Sequence, residues 1–152
     1  NEAIAAYDKL ITNVPRSSYV PKALLKKGLI LNNTERLEQS LTVFKKVAND
    51  YPSSPEAIQA VSSAKLIYID LGKVDEYARW VQTLDFIDIA DAELDQASFA
   101  AAENRYLQND AQALGLLEKY IKDFPNGIHS LPANFYITNC TSSALVNCFI
   151  NM

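Results

Sequence analysis

Residues 40–54, SLTVFKKVANDYPSS, join an apolar helical face to a proline that ends the helix. Ser40, Phe44 and Val47 are spaced by four and three residues, which places them on one face of a helix. The small Ser40 allows a neighbouring helix to approach closely, and the two larger residues fill the space between the helices. Pro52 with the small polar residues after it is typical of a helix stop and a turn. The segment therefore predicts a helix that packs on a neighbour and ends at a turn.

This pattern recurs along the chain. Pro15 and Pro52 lie 37 residues apart, and Pro125 lies 73 residues beyond Pro52, which is two further steps of about the same length. Each proline follows an apolar residue that is itself preceded by Asn or Asp. The packing triplets upstream of the three prolines are Ala3, Tyr7, Leu10; Ser40, Phe44, Val47; and Ala113, Leu117, Tyr120. A period of this length predicts a row of helix pairs that share a continuous core.

The pattern resembles the tetratricopeptide repeat, a family that alternates helices A and B and closes helix B with a proline. Residues 21–52 fit best, because Leu24, Gly28 and Leu31 occupy the packing places of helix A, and the quoted triplet with Pro52 occupies those of helix B. The resemblance implies an all-α fold, an α-α superhelix built as a right-handed solenoid of antiparallel helix pairs. In such a row each pair completes its core by stacking on the next.

The repeat divides residues 1–137, expected to form a single domain, into units. These are a partial unit at about 1–17, units at 18–54, 55–89 and 90–127, and the start of a further helix at 128–137. The third unit departs from the family, since the bulky Tyr77 stands where a small residue is usual and the proline expected near Asp88 is absent. The tail at 138–152 has no charged side chain and no clear helix pair. It could cap the stack, be disordered or be foreign to the family.

Composition and charge narrow the function. The net charge is −4, and no basic face dominates, which argues against binding to nucleic-acid phosphates. No apolar run approaches the roughly 20 residues of a membrane span. The first residue is Asn1, without a leader sequence, so we expect a mature protein or an excised piece. Cys140 and Cys148 are expected to remain free thiols, because helical spacing would hold them too far apart for a disulfide.

The sequence predicts no catalytic residue, metal site or cofactor. His129 lacks the partners that catalysis or metal binding needs, and it is expected to be an exposed turn residue. An acidic cluster also lacks the pattern of a calcium loop, and it is expected to be a solvated loop in which Asp91 or Asp95 caps the next helix. An acidic patch for a basic partner is the alternative. Trp80 is expected to pack with Tyr77 and Leu84. The acidic cluster comprises Asp85, Asp88, Asp91, Glu93 and Asp95.

The resemblance implies that helix A of each unit lines a concave groove. A peptide or helix of another protein could dock there through apolar anchors, with polar side chains that fix its register. The outward places between packing residues, which form the predicted groove, are Lys22, Leu25, Leu29, Asn33, Gln59, Ser62, Leu66, Ser98 and Arg105.

Three classes of function follow. The first is a scaffold that binds a protein or peptide partner. The second is a self-associating repeat module, a homo-oligomer through exposed terminal repeats, because the first unit lacks its helix A and the last lacks its helix B. The third is an enzymatic or glycan-binding helical module, which no polar constellation supports.

Repeat lengths of 36 to 37 with a Tyr/Phe-Pro-x-Ser turn are similar to accessory proteins of the Tol-Pal system and lipoproteins of bacterial outer-membrane assembly. That similarity predicts a periplasmic or outer-membrane-associated protein, while a cytoplasmic location stays open.

Overall fold

The structure, a computed structural model, describes residues 2–88 and 90–150, with side chains as far as Ser142. Over these residues the chain forms eight α-helices and no β-strand, which confirms the predicted all-α helical repeat fold. The helices are α1 Glu2–Asn13, α2 Val20–Asn33, α3 Leu37–Asp50, α4 Pro55–Asp70, α5 Val74–Val81, α6 Asp91–Leu107, α7 Ala113–Asp123 and α8 Ser130–Ile150.

The helices follow the order of the predicted repeat units. Helix α1 falls in the partial unit at 1–17, and the pairs α2–α3, α4–α5 and α6–α7 fall in the three following units. Helix α8 begins at Ser130 and continues to Ile150. The described part of the 138–152 tail therefore extends this helix and forms no element of its own.

Three tight turns between the paired helices have the same backbone geometry. Glu35, Gly72 and Asn109 follow one another at 37-residue intervals, and each has a left-handed φ, of 59°, 69° and 54°. In the first turn the Arg36 amide donates to the Leu31 carbonyl at 2.9 Å, a bond that closes the last turn of α2. Only glycine adopts this conformation without steric cost, so Glu35 and Asn109 are held there by the helices on either side.

Contacts between Cα atoms divide the chain into two compact units. Unit 1 comprises residues 1–68 and 75–88. Its core lies between α2 and α3, where Ser40, Phe44 and Val47 are fully buried. The Ser40 hydroxyl donates to the Gly28 carbonyl at 2.8 Å. A Cβ atom at Gly28 would lie 3.0 Å or less from three atoms of the Phe44 ring, so the sequence needs glycine at this contact.

Helix α1 lies against α2 but buries no residue completely. The Asp8 carboxylate and the Lys27 ammonium group form an ion pair at 2.5 Å, which joins the two helices. The packing triplet of α1 remains partly open, because Ala3 is exposed and Tyr7 and Leu10 are half-buried.

An aromatic cluster explains how unit 1 accommodates the bulky Tyr77. The rings of Tyr68, Tyr77 and Trp80 lie with their centroids 6.0 to 6.4 Å apart, and Tyr77 is 2% exposed. The Lys45 ammonium lies 5.4 Å from the Tyr68 centroid and 5.5 Å from that of Trp80, where it contacts the rings as a cation. The predicted packing of Trp80 against Tyr77 is confirmed. Within the described part of the chain, Trp80 Nε1 is buried without a hydrogen-bond partner.

Unit 2 comprises residues 69–74 and 89–152. Its core joins α6, α7 and α8, since α7 packs on both of the others. The residues at its centre are Phe99, Ala102, Leu117, Tyr120 and Ala133. Ala113, Leu117 and Tyr120 are all buried, as the packing triplet predicts.

Candidate partner-binding surface

The predicted groove residues of α2 divide between surface and core. Lys22 and Asn33 are exposed, and Leu29 is half-buried. Leu25 is only 4% exposed, because it lies one helical turn before Gly28 on the face that α3 covers. Leu25 is therefore a core residue and has no surface to offer a ligand. Lys26 is exposed on the same side of α2 as Lys22 and Leu29, so it replaces Leu25 in the candidate surface.

On α4 the three predicted residues Gln59, Ser62 and Leu66 are all exposed. Ile58 is exposed beside them, and it was missed because the repeat pattern does not mark it as a groove position. The exposed fractions of the two apolar side chains are 57% for Ile58 and 60% for Leu66. Ile58, Ser62 and Leu66 follow one another at four-residue spacing, so they lie along one face of α4.

These residues define two stripes on the surface of unit 1. The α2 stripe consists of Lys22, Lys26, Leu29 and Asn33, and the α4 stripe consists of Ile58, Gln59, Ser62 and Leu66. Together they are called the A-helix surface below. The surface combines apolar anchors with amide, hydroxyl and ammonium groups, which suits recognition of another polypeptide more than chemistry.

In unit 2 the predicted groove residues are engaged in the fold. Ser98 is half-buried. The Arg105 guanidinium donates through Nη1 to the Asp110 carboxylate at 3.0 Å and through Nη2 to the Asp70 carbonyl at 2.8 Å. Arg105 thereby fixes the end of α4 and the turn after α6 within unit 2.

Helix α8 packs against α6 within unit 2. Phe99, Ala102 and Tyr106 of α6 lie in the core cluster together with Tyr136 of α8. The Tyr106 and Tyr136 rings stack at 4.2 Å. This side of α6 is therefore covered by the chain itself.

Asp91 or Asp95 was expected to cap the next helix, and this prediction is wrong for both residues. Helix α6 begins at Asp91, Ala90 precedes it, and no side chain bonds the first turn as a cap. Asp95 lies inside the helix, is 7% exposed and accepts hydrogen bonds from two other elements. The Tyr120 hydroxyl donates to Oδ1 at 2.6 Å, and the Ile128 amide donates to Oδ2 at 3.1 Å. The carboxylate therefore links α6 to α7 and to the turn before α8.

The same network surrounds Tyr120. Burial, followed by the hydrogen bond to Asp95, raises the pKa of Tyr120 to about 12. The His129 amide donates to the Tyr120 oxygen at 3.1 Å. A Cβ atom at Gly127 would lie 2.5 Å from this oxygen and 2.9 Å from Asp95 Oδ2, so only glycine fits at that point of the turn. The network is structural, because each polar group in it has a partner inside the protein.

His129 lies in a turn, as predicted, but it is half-buried and contributes to packing. Its ring stacks on Phe99 at 4.3 Å with an angle of 7° between the planes. Its Nε2 atom lies 3.4 Å from Gln96 Oε1. The ring therefore fills a gap between α6 and the turn before α8.

The remaining acidic candidates lie at the surface of the described chain or beside a pocket. A surface pocket of about 270 Å³ is lined by Asp91, Asp95 and the turn at 124–127. Asp85 and Asp88 are exposed. Among the described residues, no group of three or more His, Cys, Asp and Glu side chains could hold a metal. Cys140 is a free, half-buried thiol, and the side chain of Cys148 lies outside the described residues. None of the described helices is long and apolar enough for a membrane crossing.

Comparison with known families places the repeats on the same helices. A tetratricopeptide repeat model matches residues 22–54 and 96–127, which correspond to α2–α3 and α6–α7. The two matches support a tetratricopeptide repeat protein. Repeats of this kind generally mediate protein–protein interaction, and the family is typically a non-catalytic scaffold. No curated protein and no solved structure matches the chain.

Proposed function

We propose that this chain is a protein-interaction scaffold that binds a peptide or helix of a partner protein on the A-helix surface of unit 1. The observation that carries the proposal is the exposure of Ile58 and Leu66, at 57% and 60%, along one face of α4. A contiguous apolar patch rimmed by polar residues marks an interaction site on a soluble protein, and these two side chains share one helix face. Burying these two side chains under a partner would supply the apolar part of the binding free energy.

The polar members of the surface determine what such a partner offers. Gln59 and Asn33 can donate and accept hydrogen bonds, so they suit the backbone or amide groups of a peptide. Lys22 and Lys26 add two positive charges on the α2 stripe, and they favour a partner with carboxylates near its apolar anchors. The partner segment is therefore an amphipathic peptide with apolar and acidic residues.

The proposed cellular setting is the bacterial envelope, on the periplasmic side or at the outer membrane. This part rests on the repeat length of 36 to 37 residues and on the Tyr-Pro-Ser-Ser turn at residues 51–54, which resemble envelope repeat proteins. Fractionation of the source cells with an antibody against the chain tests it. Recovery with periplasmic or outer-membrane markers supports the proposal, and recovery with cytoplasmic markers alone contradicts it.

A photo-crosslinking amino acid at Ser62 tests the binding surface directly. Thr42 on α3 is exposed and lies outside the A-helix surface, so it is the matched control position. We expect a protein of the envelope extract to be crosslinked from Ser62 and not from Thr42. Identical products from both positions would contradict the proposed surface.

The crosslinked protein, once identified and purified, then provides a quantitative measurement. Leu66→Asp replaces an apolar anchor of the α4 stripe by a charge, and we expect it to weaken binding about tenfold or more. Leu107 on α6 is 67% exposed and outside the surface, so Leu107→Asp is the control and should change the affinity less than about twofold. Equal affinities for the two variants would refute the assignment of the surface.

A further inference from the structure

Residues 124–127 form a tight turn between α7 and α8. The Gly127 amide donates to the Phe124 carbonyl at 3.0 Å, and Asn126 does not adopt a left-handed φ. With Pro125 as its second residue this is a type I turn, in which ψ of the third residue, Asn126, is about 0°. The Asn126 side chain is exposed. The turn therefore presents to water an asparagine that directly precedes a glycine, the one Asn-Gly pair in the sequence.

An Asn-Gly pair can lose ammonia without an enzyme. The Gly127 main-chain nitrogen attacks Cγ of Asn126 and forms a new N–Cγ bond. The bond from Cγ to the side-chain nitrogen breaks, and that nitrogen leaves as ammonia with the proton of the Gly127 amide. Water then opens the cyclic imide at either carbonyl and gives aspartate or isoaspartate. Glycine favours the attack because it has no Cβ atom to crowd the ring.

The folded turn holds the reacting atoms in an unsuitable arrangement. At a ψ of about 0° the Gly127 nitrogen lies on the side of the Asn126 main-chain nitrogen. Closing the five-membered ring needs the Gly127 nitrogen on the side of the Asn126 Cβ instead. The peptide plane between the two residues must therefore rotate, and this rotation breaks the hydrogen bond from Gly127 to Phe124.

The residues after the turn resist this rotation. The Ile128 amide donates to Asp95 Oδ2 at 3.1 Å, and the His129 amide donates to the Tyr120 hydroxyl oxygen at 3.1 Å. Both acceptors are buried, and a Cβ atom at Gly127 would lie 2.5 Å from the Tyr120 oxygen. The Gly127 backbone thus has no space on its inner side. Its amide turns only when the bonds to this buried network break.

The turn at Pro15 has the same hydrogen bond but a different support. The Ser17 amide donates to the Val14 carbonyl at 3.0 Å. The amides that follow bond back to Ser17, that of Tyr19 to its hydroxyl at 3.2 Å and that of Val20 to its carbonyl at 3.1 Å. These contacts are local, whereas Ile128 is tied to a side chain 33 residues away. The two turns therefore separate the effect of the turn from that of the buried network.

An isoaspartate would not fit in the turn before α8. It lengthens the main chain by one carbon–carbon bond, about 1.5 Å. Tyr120 and Asp95 block the inner side of Gly127, so the added length bulges outward and moves the Ile128 amide away from Asp95. The buried carboxylate then loses a hydrogen-bond donor, which is unfavourable.

We propose that Asn126 is a deamidation site controlled by the Asp95–Tyr120 network. The intact network prevents ring closure, local opening of unit 2 permits it, and the isoaspartate product stops the network from forming again. The modification thus converts a transient opening into a permanent one. The site lies in unit 2 and uses no residue of the A-helix surface, so it goes beyond the proposed function.

The rate of deamidation in the full chain tests the proposal. The chain is incubated at mildly alkaline pH, either folded or unfolded in urea. Mass spectrometry of the tryptic peptide that begins at Asp123 locates the modified residue, and protein isoaspartyl methyltransferase labels the isoaspartate. We expect Asn126 to react roughly tenfold or more slowly in the folded chain, because the reaction follows the population of the open form.

A pair of variants tests the control by the network. Asp95→Ala removes the acceptor of Ile128, and it should accelerate the reaction of Asn126 roughly tenfold in native buffer. Asp91→Ala is the matched control, because it removes an exposed carboxylate that lines the same pocket. The control should change the rate less than about twofold.

A transferred Asn-Gly pair provides a test in a chain whose unit 2 is unchanged. Arg16→Asn combined with Ser17→Gly gives the turn at Pro15 the same pair without the buried network. In the folded chain this pair should react roughly tenfold faster than Asn126, and in urea the two should react equally. This comparison decides the question where circular dichroism shows Asp95→Ala to be unfolded.

Three results would overturn the proposal. The first is an equal rate for Asn126 in the folded chain and in urea. The second is a folded Asp95→Ala chain that reacts no faster than Asp91→Ala, or a transferred pair that reacts no faster than Asn126. The third concerns the product, since the purified isoaspartate form should unfold at a lower urea concentration than the unmodified chain. An unchanged midpoint would show that the network forms again.

Discussion

Replacing Asp95 by alanine tests whether this buried carboxylate holds unit 2 together. The substitution removes the acceptor of the Tyr120 hydroxyl, at 2.6 Å, and of the Ile128 amide, at 3.1 Å. A hydrogen bond to a charged group contributes about 1.5–3 kcal/mol, and a buried group left without its partner adds a desolvation cost. We therefore expect Asp95→Ala to lower the free energy of unfolding by about 3–5 kcal/mol. Asp95→Asn keeps one acceptor oxygen and should cost less.

Urea denaturation followed by far-UV circular dichroism measures this loss. Asp91→Ala is the matched control, because Asp91 is exposed in the first turn of the same helix and should cost only about 0.3–1 kcal/mol through the helix dipole. Tyr120→Phe and the double variant complete a thermodynamic cycle, in which the two substitutions should be non-additive by about 1 kcal/mol or more. The reasoning fails if Asp95→Ala costs no more than Asp91→Ala, or if the two substitutions in the cycle are additive.

Three further predictions follow from single contacts. The raised pKa of Tyr120, about 12, means that the folded state favours the neutral phenol. The stability that this group contributes is therefore complete below the ordinary pKa of 10 and is lost as pH rises towards 12. Across this range the free energy of unfolding should decline less in Tyr120→Phe than in the wild type. Gly28→Ala should destabilise the chain by about 1–3 kcal/mol in thermal unfolding, and adding Phe44→Leu should restore part of the loss, whereas no rescue would contradict the size argument. Glu35→Gly should stabilise by about 0.5–1 kcal/mol because φ is 59° there, and a loss of stability would show that the Glu35 side chain matters more than its backbone.

Features that depend on periodic spacing could be predicted from the sequence. The packing triplets and Gly28 lie on helix faces that repeat every 36 to 37 residues, and a local pattern of size and hydrophobicity is sufficient to locate them. The contact of Trp80 with Tyr77 followed from the same spacing.

Features that depend on long-range partners could not be predicted. Asp95 and Tyr120 are 25 residues apart, and nothing beside either residue indicates that their side chains meet. Leu25 was placed in the groove because a family position was transferred to it, although in this chain α3 covers that side of α2. A signal was available for the left-handed turns, since Glu35, Gly72 and Asn109 share one interval and Asn and Gly favour this conformation.

The anchoring of the turn at Pro125 has a consequence for proteolysis. Its backbone is tied to a buried carboxylate through Ile128, whereas at the turn of Pro15 the residues Val14, Pro15 and Arg16 are exposed and follow a helix with no fully buried residue. Local opening precedes cleavage of a folded chain, so trypsin should cut after Arg16 well before it cuts after Lys122. The two proline turns, although similar in sequence, would then differ in their rate of proteolysis. Cleavage of the folded protein would begin on its amino-terminal side.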